Sequence, residues 1–344
     1  MSSTQLRSSQ SFATSRTASV LAISAATALL VSTVVSATPW PSALLIRSAF
    51  EAGARATVKE MLPYVPSSGI SEELDVEIPL PSGSSTLDVF TPSNATGPLP
   101  TVVWVHGGAW ISGSKTNVAP YLRILASRGY TTVGVSYPIA PETTYPTAVH
   151  DLNDTLAYIT ENADDLGVDP TRIILAGDSA GAQLASSLAT VTTNPAYAHL
   201  LGVTPSLSSE QLIGTILHCG VYDLDAMADL NGLTAWGFKV ALWAYTGTKD
   251  WSDTYAGTTM STMDFVTDGF PPTFISGGNG DSLTWIQSVP MSTALKSQGV
   301  AVTELFWPAS HEPALPHEYQ FHLDFEEARS ALDDTVTFLD RLTR

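Results

Sequence analysis

Between residues 172 and 191 the chain passes from a strand pattern to a helix pattern across one very short turn, and few folds accommodate that. Arg-Ile-Ile-Leu-Ala at 172–176 is a buried-strand run. Residues 180–191 are small and apolar with no proline, as in a helix packed against a sheet. The turn itself, Gly177, Asp178, Ser179, Ala180, Gly181, has the pattern G-x-S-x-G. A Cβ at Gly177 or Gly181 would crowd such a bend. The central residue is then held in a strained conformation. Its hydroxyl is pushed out over the C-terminal edge of a sheet, at a helix N-terminus whose dipole favours negative charge. Small residues around a serine also occur in ordinary tight turns, but the flanking strand and helix favour a nucleophile elbow. A free serine is a poor nucleophile, so the geometry is useful only with a base and an anion site nearby.

The next signal lies upstream. Thr-Val-Val-Trp-Val at 101–105 is a second buried-strand run, followed by His106, Gly107, Gly108, Ala109 and Trp110. A glycine pair in this position lets the backbone approach a substrate closely, with N–H groups aimed at a developing oxyanion. The expected donors are Gly107 and Gly108, with the N–H of Ala180 as the third. His106 is expected to orient the loop through a hydrogen bond and to take no part in proton transfer. Alone, the segment reads equally as a glycine turn after a strand; the elbow downstream gives it weight.

In this order and spacing the two motifs resemble the hormone-sensitive-lipase-like branch of the α/β-hydrolases. Residues 136–151 support the same resemblance, with Tyr137, Ala140, Pro141, Glu142, Tyr145, Pro146 and Asp151 at the family's positions. The chain departs at Pro138, where the family usually has Arg, and at Ile139, where it usually has Leu. The departures put a local salt bridge in doubt, not the chemistry. The resemblance covers residues 75–344 and implies an α/β-hydrolase fold, with a mainly parallel, doubly wound, eight-stranded sheet under a helical cap. It further implies a serine carboxylesterase or lipase acting on small-molecule esters, with no metal or organic cofactor. It does not name the substrate.

The acid and the base should follow the serine in that order. Thr-Phe-Ile-Ser at 273–276 is another buried strand, and Asp281 lies in the turn after it, in the family's D-x-L position. Such an Asp accepts the imidazole N–H and fixes the tautomer; it could equally cap the helix starting near Ser282. Two candidate histidines follow the strand at 301–307, and His322 beyond them is read as packed or solvated. His317 has an aromatic residue, Tyr319, two places on, as in the family. His311 lies at the more usual distance from its strand. His317 is the preferred base and His311 the alternative. Asp178 is expected to be a structural hydrogen-bonding residue pointing away from the imidazole.

Strand patterns at 73–79, 86–91, 101–105, 131–136, 172–176, 213–218, 272–276 and 301–307 alternate with helical stretches at 118–128, 146–161, 180–191, 284–298 and 324–342, which predicts a mainly parallel sheet. Two regions break the alternation. Residues 41–72 contain an apolar-periodic stretch at 43–61 that resembles the family's N-terminal cap helix. Residues 222–268 form an insert within the hydrolase domain of 73–344 and carry Trp236, Phe238, Trp243, Tyr245, Trp251 and Tyr255. Both are read as a lid. Most of these aromatics are expected in ordinary packing, while together they suggest an apolar substrate wall. Residues 1–40 carry Arg7 and Arg16, then an apolar run at 19–37 ending in an A-x-A-like site. The run fits either a cleaved export signal or an N-terminal membrane anchor, with the catalytic domain exported in both cases.

The formal net charge of −18, from 15 basic and 33 acidic residues, repels nucleic acid and acidic lipid headgroups. It favours neutral or cationic substrates and fits a saline habitat. The single cysteine, Cys219, excludes an intramolecular disulfide. Family members often form homodimers through the last strand and helix, an expectation that rests on the resemblance alone. Two further readings stay open: an arylformamidase-like amide hydrolase, and a non-catalytic ligand-binding member of the fold.

Overall fold

In the computed structural model, which describes residues 33, 35–228 and 230–344, the buried-strand runs assemble one eight-stranded sheet in the order β1-β2-β4-β3-β5-β6-β7-β8. The strands are β1 (Ile70–Leu80), β2 (Gly83–Pro92), β3 (Leu99–Val105), β4 (Thr131–Val135), β5 (Val168–Asp178), β6 (Leu212–His218), β7 (Thr273–Gly277) and β8 (Val302–Phe306). The β1–β2 and β2–β4 pairings are antiparallel and the remaining pairings parallel. This is the expected fold class.

The doubly wound form follows from the period of two along each strand. Val103 and Val105 of β3, with Ile173 and Leu175 of β5, face a core shared with helices α3 (Thr147–Glu161) and α4 (Ala180–Thr193). The alternate residues Val102, Trp104, Ile174 and Ala176 face a second core against helix α2 (Lys115–Ser127) and the C-terminal helix Glu326–Thr343. A strand buried on both faces cannot alternate apolar with polar, which is why these segments read as unbroken apolar runs.

The stretch expected as one helix at 284–298 is in two parts. A π-helical turn at Thr284–Ser288 precedes an α-helix at Val289–Ser297. Pro290, which has no N–H to donate, sits at the junction.

Helix α1 (Trp40–Met61) precedes the sheet and buries little besides Ser42, Ala43, Ile46 and Met61. Arg47 fastens it. The guanidinium donates to both carboxylate oxygens of Glu142, at 2.8 and 2.6 Å, and to the carbonyls of Ile111 and Ala140 at 2.5 and 2.6 Å. Glu142 therefore has an arginine partner despite Pro138, supplied by a helix far away in sequence. Within 222–268 lie helices at Leu224–Ala228, Gly232–Thr246 and Tyr255–Met260. Of the aromatics there, Tyr245 is buried and stacks on Trp110 at 5.4 Å, Trp251 is buried, and Trp236 and Tyr255 are exposed. The apolar run 19–37 lies almost wholly outside the described residues. No helix among those residues is long and apolar enough to cross a membrane.

Candidate active site

β5 ends at Asp178 and α4 begins at Ala180, so Ser179 alone makes the turn. Its backbone lies at φ 52° and ψ −120°, a region that residues with a Cβ rarely occupy. The Ser179 N–H donates to the His218 carbonyl at 2.9 Å, which ties the bend to β6. The two flanking glycines are required as anticipated. A methyl at Gly181 would meet the Val105 carbonyl oxygen, and one at Gly177 would lie 2.5 Å from the Gly181 carbonyl group.

Three side chains from separate loops meet at the C-terminal edge of the sheet. Ser179 Oγ is 2.9 Å from His317 Nε2, and His317 Nδ1 is 2.6 Å from Asp281 Oδ2. The other Asp281 oxygen accepts the Leu283 N–H at 3.0 Å, so this Asp also holds the turn after β7. His311 is placed elsewhere: it packs on the Trp307 ring at 4.6 Å and pairs with Glu327 at 2.7 Å. The long segment between β8 and His317 is laced to the Asp281 turn by Asn279. This side chain donates to the His311 carbonyl at 2.8 Å and accepts the Leu315 N–H at 2.9 Å. Sequence reasoning missed Asn279; its position in the same turn as Asp281 was the available signal.

The glycine loop corrects one expectation. The Gly107 N–H donates to Asp178 Oδ2 at 2.8 Å, so it is not free to receive an oxyanion. Asp178 also accepts the Trp104 indole N–H at 2.7 Å. Its carboxyl, beside the nucleophile, therefore braces the loop and does not reach toward the imidazole. Among the described residues the N–H groups of Gly108, Ala109 and Ala180 have no acceptor. Gly108 and Ala109 both have positive φ, 117° and 51°. Ala109 thus carries a free amide that sequence reasoning passed over. Which amide turns outward depends on where the Asp178 side chain goes, and the motif does not encode that.

His106 behaves as expected. It is buried, and Nδ1 lies 2.8 Å from the Gly107 carbonyl. Tyr137 stacks on its ring at 4.3 Å and donates to its carbonyl at 2.8 Å. Burial lowers its pKa to about 4, so it is neutral and does not exchange protons near neutral pH.

His317 differs. Burial alone would lower its pKa, but the Asp281 charge and hydrogen bond, reinforced by Glu318 and Asp178, raise it to about 9. Glu318 follows the histidine in a left-handed conformation (φ 58°) and puts a carboxylate oxygen 3.8 Å from His317 Nε2. Burial first, then the neighbouring Glu318 charge, push the Asp178 carboxyl well above the usual carboxylate range.

These groups line a cleft of about 290 Å³. Its wall includes Phe50, Gly53 and Ala54 of α1, Phe238 of the insert and Phe321. Of the six insert aromatics, only Phe238 lines it; α1, Ala109, Val118 of α2 and Phe321 supply further apolar surface. Among the described residues no cluster of His, Cys, Asp or Glu could hold a metal ion.

A serine at a left-handed elbow after the central parallel strand, with a donor-rich loop from the neighbouring strand, places the protein in the α/β-hydrolase class. The chain belongs to the BD-FAE family, a hormone-sensitive-lipase-like group of α/β-hydrolase esterases, whose profile matches residues 87–295. It is 31% identical over 237 residues to carboxylesterase NlhH of Mycobacterium tuberculosis, covering 67% of this chain and 70% of the relative. A crystal structure of esterase B from Lactobacillus rhamnosis superposes with a TM-score of 0.72 at 25% identity, over 88% of this chain and 96% of that one. A bacterial heroin esterase superposes with a TM-score of 0.69 at 25% identity, over 87% and 91%. The protein is a carboxylic ester hydrolase.

Proposed function

We propose that the protein hydrolyses esters with short-to-medium acyl chains by two-step acyl transfer through Ser179, His317 and Asp281. The observation that carries the reading is the unbroken hydrogen-bonded path from Ser179 Oγ through the imidazole to Asp281, at 2.9 and 2.6 Å. His317 takes the hydroxyl proton as Oγ attacks the ester carbonyl. Asp281 holds the tautomer and stabilises the imidazolium. Gly108, Ala109 and Ala180 donate to the tetrahedral oxyanion, each N–H lowering the barrier by about 3 kcal/mol. The imidazolium then protonates the leaving alcohol, and water activated by the same ring releases the acid. α1 and the 222–268 insert act as a lid, with Phe50 and Phe238 against the acyl group.

The test is a pair of single substitutions. His317→Ala should lower turnover of a p-nitrophenyl ester by about 10⁴-fold or more, while His311→Ala retains most of it. Loss of activity in His311→Ala alone would remove the assignment. Ser179→Ala should also abolish covalent labelling by a fluorophosphonate. Turnover of an aryl formamide should lag well behind that of the ester.

A further inference from the structure

The lid carries a surface that the catalytic chemistry does not use. On the N-terminal half of α1, Trp40, Leu44 and Leu45 are exposed, Leu45 by 67% of its surface. The charged residues of this helix's outer face, Glu51, Arg55 and Lys59, all come later. On the helix Gly232–Thr246, Trp236 is exposed by 44%, and it shares a shallow groove with Ser42 of α1 and with Val35, just before that helix. Lys239 and Lys249 stand at this groove. The Lys249 ammonium lies 4.1 Å over the Trp243 ring and donates to the Ser36 carbonyl at 2.6 Å. In a chain of net charge −18, this face gathers exposed apolar side chains edged by lysines and tryptophans. Tryptophan at the boundary and lysine reaching past an apolar body are what a lipid–water interface selects. The apolar run 19–37 ends three residues before Trp40, so the patch is its neighbour in sequence. The same two helices bound the catalytic cleft, through Phe50 and Phe238.

We infer that this face, formed by the start of α1 and the Trp236 side of the insert, docks on a neutral lipid bilayer and sets the cleft mouth at the surface where water-insoluble esters collect. The partner is a zwitterionic membrane and not an acidic one, because Asp250 and Asp253 share the groove with the lysines. Binding of lipid by this face does not depend on the ester-cleavage reading, and its test is separate from turnover.

Cys219 is fully buried, so a cysteine introduced on the surface can be labelled alone. Leu45→Cys, Trp236→Cys and, as a control on the C-terminal helix, Thr337→Cys would each carry an environment-sensitive fluorophore in the full-length chain. With phosphatidylcholine vesicles, the labels at 45 and 236 should brighten and shift to shorter wavelength, and the label at 337 should not. Leu44→Ser with Leu45→Ser should lower the partition coefficient about tenfold and leave turnover of a soluble ester unchanged. Three results would overturn the proposal. One is water-like emission at 45 and 236 while the protein sediments with vesicles, which assigns binding to the 19–37 run alone. Another is a response confined to one of the two positions. The third is a response to protein concentration without vesicles, which assigns the face to a second copy of the chain.

Discussion

At the scale of single residues, the proposed mechanism makes the acidity around His317 govern the enzyme's dependence on pH. The ring must be neutral to accept the Ser179 proton, and its pKa is raised to about 9. The acid limb of kcat/KM should therefore lie on the alkaline side of neutrality, with activity falling as pH drops through that value. Glu318 supplies part of the shift from 3.8 Å. Glu318→Gln removes a negative charge that favours the imidazolium, so the acid limb should move to lower pH, and a pH–rate profile of the two proteins checks it. At this scale Ser179 and Asp281 were legible because each follows a buried apolar strand in a recognisable pattern, and His317 because of the aromatic residue two places on. The Gly107 amide was not, because its availability is decided by the Asp178 rotamer. Nor was Asn279 singled out, since the two loops it joins are separated by all of β8 and its preceding helix.

Among elements, the antiparallel edge of the sheet depends on one buried ion pair. Lys115, at the start of α2, reaches Asp88 of β2, and both side chains are about 95% buried, with 5% and 4% exposed. Lys115 also meets Asp75 at 2.6 Å, in the bulge where β1 slips against β2 between Glu73 and Val76, but Asp75 is 78% exposed. Burial decides which contact matters. Asp88→Ala leaves an ammonium in the interior and should cost about 3 kcal/mol or more. Asp75→Ala breaks a screened contact and should cost under about 1 kcal/mol. Chemical denaturation of the two variants separates them. The strands and helices themselves were largely readable, because parallel strands covered on both faces must be nearly continuous in Val, Ile and Leu. The π-helical turn at Thr284–Ser288 was not, since periodicity does not separate it from the helix it leads into. The division of the insert aromatics between core, cleft and surface was equally hidden; it depends on how α1 lies across them.

For the molecule as a whole, the charge of −18 works against compactness in dilute buffer. In about 1 M salt the screening length falls to roughly 3 Å, and repulsion between exposed carboxylates is largely removed. The Ser179–His317–Asp281 contacts are short and shielded, so they do not depend on that field. Turnover of a soluble ester should accordingly hold or rise from dilute buffer to molar sodium chloride. Inactivation by salt would contradict the reading. The cleft volume and the outer surface of α1 and the insert belong to this scale too, and neither could be obtained from motifs, because both arise where α1 and the insert converge over the sheet.

Asp178 braces the loop through the Gly107 amide and the Trp104 indole, contacts that involve no substrate atom, so on the proposed mechanism the oxyanion receptor needs no rearrangement to form. A boronic acid, whose adduct with Ser179 imitates the tetrahedral species, should then associate in one kinetic phase, with an observed rate linear in inhibitor concentration. A rate that saturates would mean the loop has to isomerise first.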